Sequence, residues 1–135
     1  MRVPYLASLL LFVIACCIPA LEFKNSSRPN DLMWGANALA VGWSGIFAGV
    51  MAWYANPFWV VGLFLGFIRK PLPAAIAGVL SLLIAFTVFK DIGRELPGDE
   101  GGVTRTTIIR LLPGCYLWMA SQAMLVLGVF FPKSK

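Results

Sequence analysis

The longest uncharged run of the chain, residues 33–68, constrains the fold more than any other feature. It contains no Asp, Glu, Lys, Arg or His. A single helix over this run would be about 54 Å long, whereas the hydrocarbon core of a bilayer is about 30 Å thick. The run is too long for one membrane crossing and too apolar for a water-exposed domain. We therefore expect it to fold back on itself.

The reversal is expected at Asn56-Pro57. Proline lacks a backbone donor and disfavours a helical conformation of the residue before it. The sequence thus predicts one helix over 33–54, a turn over 54–57 and a shorter helix over 57–69.

Three further apolar segments are long enough to cross a bilayer, and together they predict an all-α, polytopic transmembrane helical bundle. Only 13 % of the residues are charged, whereas soluble domains carry roughly 25 %. We expect a single domain over 1–135 with four long helices and the short helix at 57–69. Its predicted spans are 3–21, 33–54, 57–69, 71–89 and 113–131, and its predicted polar loop is 90–110.

Two questions of topology stay open at this point. The 11 Lys and Arg residues divide almost evenly between the two sides for four or five crossings, so the positive-inside rule does not choose an orientation. The run Val13-Ile14-Ala15-Cys16 is similar to a bacterial lipobox. Lipidation of Cys16 is therefore an alternative to a retained first span.

Glycines recur at four-residue spacing in the two central predicted helices. Gly45 and Gly49 form one GxxxG pattern, and Gly62 and Gly66 form another. Small residues at this spacing let a second helix backbone approach closely. Together with Gly42, they predict a helix-packing surface, used within the bundle, in a homo-oligomer or with a partner.

The sequence offers no constellation of residues that would carry catalysis. It contains no His, the side chain most used for metal binding and proton transfer near neutral pH. None of the six acids lies in the centre of a predicted span, the cysteines lack CxxC spacing, and no basic stripe indicates nucleic-acid binding. We predict a protein that is not an enzyme and that has no cofactor, no metal site and no nucleic-acid partner.

Asn37, Ser44 and Gln122 are polar residues within predicted spans. Gln122 is expected to face protein, because its amide needs hydrogen-bond partners. The three residues could line a small polar path, or they could form hydrogen bonds between helices. Asp99 and Glu100, in the predicted loop, leave a further hypothesis of an enzyme that acts on lipid headgroups.

Three stretches resemble a group of uncharacterised small bacterial polytopic inner-membrane proteins. They are residues 42–45 with Trp43, residues 52–57 with the Asn-Pro pair, and residues 113–121 with Tyr116-Leu117-Trp118. The resemblance implies a multi-pass location in the bacterial inner (cytoplasmic) membrane and no known activity.

The leading functional hypothesis is a non-catalytic integral membrane protein surrounded by the lipid bilayer. It would act by helix–helix contact with a membrane-protein partner, as an accessory protein or as an immunity protein against a membrane-directed toxin. A minimal channel or carrier for a small solute is the alternative.

Overall fold

The computed structural model describes residues 3–98, 101 and 103–131, and within them the helices carry a small antiparallel sheet at one end. The α-helices are α1 (Val3–Cys17), α2 (Gly35–Val41), α3 (Ala55–Phe67), α4 (Pro71–Ala85) and α5 (Pro113–Leu127). The strands are β1 (Pro19–Asn25), β2 (Asp31–Trp34), β3 (Glu95–Pro97) and β4 (Arg105–Leu111). Short 3-10 helices cover Gly42–Ala48, Ala52–Tyr54, Phe86–Asp91 and Gly128–Phe130.

The sheet is built from two hairpins, each of which follows a helix. The hairpin β1–β2 follows α1, and the hairpin β3–β4 follows α4. The strand order is β2-β1-β4-β3, and neighbouring strands are antiparallel. Because β1 pairs with β4, the sheet joins the two halves of the chain.

The strands form in polar stretches whose local sequence favours them. β4 contains Thr106-Thr107-Ile108-Ile109, and β-branched residues pack well on a pleated surface. Glu22 on β1 lies opposite Arg110 on β4, and the two side chains form an ion pair. Opposite charges directly across a strand pair contribute roughly 0.2–1 kcal/mol to sheet stability.

The helices α1, α3, α4 and α5 pack into one bundle. α3 and α4 are joined by the turn at residues 68–70 and pack along each other, and α5 packs against both α1 and α4. At the end of the bundle remote from the sheet, Tyr5 faces Gly66 and Gly128. A Cβ atom at Gly66 would overlap the Tyr5 ring, so glycine is what allows this close approach.

On α4 the buried side chains are small, whereas large apolar side chains of the same helix point outward. Leu72 and Leu83 on α4 are 63 % and 62 % exposed. This distribution is the reverse of a water-soluble core, where large apolar residues are the buried ones. The buried residues of α4 are Ala74, Ala75, Ala77, Gly78, Ser81 and Ala85.

Two helical runs in the described part of the chain are long and apolar enough to cross a membrane. They are Pro71–Asp91, with a mean hydropathy of 2.3, and Pro113–Phe130, with a mean hydropathy of 1.3. Val3–Cys17 is also apolar but shorter. Of the five predicted spans, two thus correspond to helical runs with the length and composition needed to cross a membrane.

The prediction of an all-α bundle of four long helices and one short helix is wrong, because the chain also forms a four-stranded sheet. The predicted polar loop 90–110 contains β3 and most of β4, and the stretch after the first predicted span contains most of β1. Hydropathy separates apolar from polar segments, but it does not detect short strands that pair with partners far away in sequence. These strands are stabilised by the pairing of β1 with β4, which the hydropathy of either stretch does not reveal.

Residues 33–54 also do not form the predicted single helix. α2 ends at Val41 and a 3-10 helix follows, which ends at Gly49 in the left-handed region with φ of 74°. Glycine has low helix propensity and adopts positive φ readily, so this stretch breaks before the predicted turn. Pro57 instead lies in the first turn of α3, where proline is tolerated.

Candidate ligand cavity

A cavity of about 410 Å³ lies between the sheet and the helices. Its lining is contributed by all four strands, by α1, α3 and α5, by the 3-10 helix Phe86–Asp91 and by residues 35–53. The lining is predominantly apolar, and the volume falls within the range of about 300–1,000 Å³ that is typical of small-molecule sites. Representative lining residues are Phe12, Phe23, Leu39, Val50, Val88 and Ile108.

The sheet forms one wall of the cavity because its helix-facing side is apolar. Phe23 on β1 is paired with Ile108 on β4, and both side chains line the cavity. Leu21 and Leu96 lie at the same surface. Glu22, between Leu21 and Phe23, is instead paired with an arginine. The alternation of β1 thus separates the cavity side from the charged side.

The opposite wall is the segment of residues 35–54, called the wall segment below. Neither α2 nor the 3-10 helix Gly42–Ala48 contains a buried residue. The Trp53 indole Nε1 donates a hydrogen bond to the Leu39 carbonyl at 2.8 Å. The Tyr54 hydroxyl donates to the Trp43 carbonyl at 3.0 Å. These two bonds join the end of the wall segment, next to the start of α3, to its earlier part.

One side of the wall segment lines the cavity, and the other presents large apolar side chains to the surroundings. Phe47 is 85 % exposed, and Trp43 and Met51 are also exposed. A single layer of chain therefore separates this part of the cavity from the surface.

Asn56 is a polar side chain at the cavity and lies in the first turn of α3. It is 8 % exposed, and its Oδ1 accepts a hydrogen bond from Trp118 Nε1 at 2.8 Å. Its amide nitrogen, Nδ2, has no acceptor within the described residues. It keeps some accessible surface, because the Tyr5 hydroxyl is the one fully buried polar side-chain atom of these residues that lacks a partner. By contrast, the Ser44 hydroxyl donates to the Val41 carbonyl at 2.8 Å.

A buried network of hydrogen bonds connects the helices beside the cavity. Trp59 Nε1 donates to Ser8 Oγ at 2.9 Å, and Ser8 Oγ donates to the Ser121 carbonyl at 2.6 Å. Only one orientation of the Gln122 side-chain amide gives both its nitrogen and its oxygen a hydrogen-bond partner. In that orientation the nitrogen donates to Ser81 Oγ at 3.2 Å. Such a satisfied network stabilises packing between helices and leaves no free polar group for a ligand.

Asn37, Ser44 and Gln122 are not brought together by the fold. Ser44 lines the cavity, whereas Asn37 lies exposed on α2 and Gln122 is buried between α4 and α5. The three residues therefore share no common polar path in the described structure.

The five glycines of the predicted packing surface face other parts of the same chain. Gly62 lies where a Cβ would come within 2.8 Å of a Leu125 methyl carbon, so it permits α3 to approach α5. The use of these glycines in a homo-oligomer stays a prediction. Gly42 faces Trp53, Gly45 faces Val50, Gly49 faces Arg94, Gly62 faces Leu125 and Gly66 faces Tyr5.

Residues 3–98, 101 and 103–131 contain no group of three or more His, Cys, Asp or Glu side chains that could hold a metal ion. Asp99 and Glu100, considered above for headgroup chemistry, lie outside the described residues. Cys16 and Cys115 are free thiols that line the cavity.

Neither a protein-family model nor a characterised protein nor a solved structure matches this chain. The cavity therefore has to be interpreted from its own geometry.

Sequence reasoning missed the cavity because one of its walls is the sheet. A signal was present in Leu21-Glu22-Phe23-Lys24, which alternates apolar and polar residues as a half-buried strand does. The alternation is too short to predict a strand by itself, and the pairing with β4 is not visible in it.

Proposed function

We propose that this protein resides in a membrane and binds the acyl chain of a lipid in the cavity beneath its sheet, without catalysing a reaction. The observation that carries the proposal is the apolar cavity itself, which is closed on one side by a single layer of chain. The helices beside it point large apolar side chains outward. In a bilayer those side chains would contact lipid, and the same lipid could supply the ligand.

The proposed placement puts the bundle in the hydrocarbon region and the sheet at the polar surface. The ion pairs of Glu22 with Arg110 and of Arg105 with Glu95 lie on the sheet and favour a hydrated location. The wall segment carries Trp43 beside its irregular backbone, and both features suit the membrane interface. The bacterial inner membrane is the location that the sequence resemblance implies.

The proposal is non-catalytic because the polar groups at the cavity do not form a reactive set. The chain contains no His, and the lining places no Asp, Glu, Lys or Arg beside the Cys115 thiol in the described residues. Nucleophilic catalysis requires a base within hydrogen-bond reach of the nucleophile.

A pair of substitutions on α2 tests the proposal. Ala38 lines the cavity, whereas Ala40, on the same short helix, is exposed and does not. Ala38→Phe places a phenyl ring in the space for the chain, and Ala40→Phe adds the same ring outside it. After purification in mild detergent, mass spectrometry of extracted lipid is expected to find bound lipid in the wild type and in Ala40→Phe. Ala38→Phe should retain less than about a fifth of it, since a filled pocket excludes the chain.

Two results would contradict the proposal. One is wild-type protein that carries no lipid and takes up none when a single-chain lysolipid is added. The other is equal lipid content in both variants, which would place the retained lipid outside the cavity.

The hypotheses of a membrane-protein or toxin partner, of an immunity role and of a channel or carrier stay predictions. The outward side chains of Trp43 and Phe47 are the most exposed aromatic surface near the cavity, and they would be the first contact to examine for such a partner.

A further inference from the structure

The orientation of the Asn56 amide is set by its neighbour rather than by solvent. Its Oδ1 accepts from Trp118 Nε1, which is a donor only. If the amide were turned over, two donors would face each other and the hydrogen bond would be lost. Nδ2 is therefore held on the side of the amide away from the indole.

Trp118 is itself fixed, so it holds Asn56 in place. Gln122 Oε1 lies 3.3 Å from the indole nitrogen in the amide orientation that gives both ends of the Gln122 amide a partner. The position of the indole thus depends on the buried network of α5. Because the indole is held in place, the N–H groups of Asn56 Nδ2 point in a defined direction.

An amide N–H of a residue at an apolar cavity is unfavourable when an apolar ligand displaces water and supplies no acceptor. Asn56 is more than nine-tenths buried and lines the cavity, and its nitrogen has no partner within the described residues. A purely hydrocarbon ligand would leave this donor unpaired, whereas a ligand with an acceptor oxygen would satisfy it.

We infer that Asn56 Nδ2 donates a hydrogen bond to the carbonyl oxygen of the bound lipid, which makes the ligand an acyl ester rather than an alkyl ether or a hydrocarbon. This inference rests on the proposed lipid-binding function. The ester carbonyl lies at Asn56, and the hydrocarbon chain extends along apolar lining residues such as Phe23, Val50 and Ile108.

The experiment compares two single-chain probes that differ only in the linkage. They are 1-palmitoyl-lysophosphatidylglycerol, an ester, and 1-hexadecyl-lysophosphatidylglycerol, the ether without the carbonyl. Each is titrated into purified full-length protein in detergent, and native mass spectrometry counts the bound lysolipid. The wild type is expected to bind the ester about 5-fold more tightly, the worth of one ordinary hydrogen bond.

Asn56→Leu should reduce this ratio to about 1 by removing the donor while keeping a similar volume. The matched control is Asn37→Leu, an asparagine that is exposed on α2 and does not line the cavity, which should keep the wild-type ratio. The two variants lose the same functional group at different sites.

The possible outcomes separate the inference from the proposed function. Equal binding of ester and ether by the wild type, or an unchanged preference in Asn56→Leu, would overturn the role of Asn56 and leave lipid binding standing. Binding of neither probe would overturn lipid binding itself. The wild-type comparison requires no variant, so it decides the question even where Asn56→Leu fails to fold.

Discussion

Tyr5 separates the contribution of an aromatic ring from that of its hydroxyl. The side chain is fully buried, and its ring occupies the space that Gly66 and Gly128 leave open. Its hydroxyl has no hydrogen-bond partner among the described residues. The ring therefore contributes to packing, whereas the buried hydroxyl is a cost that nothing offsets.

Tyr5→Phe is accordingly expected to keep the fold and to raise the free energy of unfolding by up to about 1 kcal/mol, because it removes an unpaired buried donor. Thermal or denaturant unfolding in detergent measures the change. Tyr116→Phe, at an exposed tyrosine on α5, is the matched control and should have little effect. A loss of stability in Tyr5→Phe would mean that the hydroxyl has a partner after all.

Gln122 shows how far single residues can be interpreted from sequence. An amide in an apolar helix needs hydrogen bonds, so its burial could be predicted from the residue type alone. Its partner, Ser81, could not be predicted, because that contact depends on how α4 packs against α5. For Asn56 the sequence predicts only a place in a turn. Its free Nδ2 could not be predicted, because that depends on the position of the Trp118 indole.

At the scale of elements, the turn between α3 and α4 is a helix C-terminus that uses arginine where glycine is usual. The Lys70 amide donates to the Leu65 carbonyl at 2.9 Å, and the Arg69 amide donates to the Gly66 carbonyl at 3.1 Å. These two bonds define a Schellman motif, in which the residue at the position of Arg69 is left-handed. Arg69 indeed has φ of 63°.

Arg69→Gly should therefore stabilise the protein by about 0.5–1 kcal/mol, because a left-handed conformation costs an L-residue with a side chain more than it costs glycine. Denaturant unfolding measures the gain. Lys70→Gly removes the same charge at a residue with φ of −105° and should give no gain. Equal effects of the two substitutions would attribute the change to charge rather than to backbone strain.

The elements also show what hydropathy can and cannot supply. The predicted span 71–89 corresponds closely to α4 and its 3-10 extension, because a long apolar run with proline in its first turn has few alternatives. The wall segment likewise contains no charged residue, but it contains Gly42, Gly45 and Gly49, and it forms short irregular pieces. The length of an uncharged run does not separate these two cases, whereas the density of glycine does.

At the scale of the whole molecule, the sheet explains why the two polar stretches are not ordinary loops. β1 follows α1 and β4 precedes α5, and these two helices pack against each other. The packing of the helices brings the strands together, and the strand pairing in turn fixes that end of the bundle. The cavity lies where the sheet and the helices meet, so it belongs to neither element alone.

Whether lipid or water surrounds the bundle is a question about the whole molecule, and two leucines of α4 can test it. Leu72 and Leu83 are equally exposed and lie 11 residues apart, which places them within about 20° of the same helix face. Leu72 lies beside the charged turn at residues 69–70, whereas Leu83 lies near the middle of the run Pro71–Asp91. In water, lysine at either position should change stability by less than about 0.5 kcal/mol.

In the proposed bilayer the two positions differ in depth. Leu83→Lys should cost about 3 kcal/mol, whereas a lysine at position 72 extends to the interface at little cost. The free energy of unfolding in lipid nanodiscs, together with the yield of protein in the membrane fraction, measures the difference. Two equally tolerated lysines would mean that water surrounds this helix and would remove the membrane placement, because only a depth-dependent solvent can distinguish sites of equal exposure on one face.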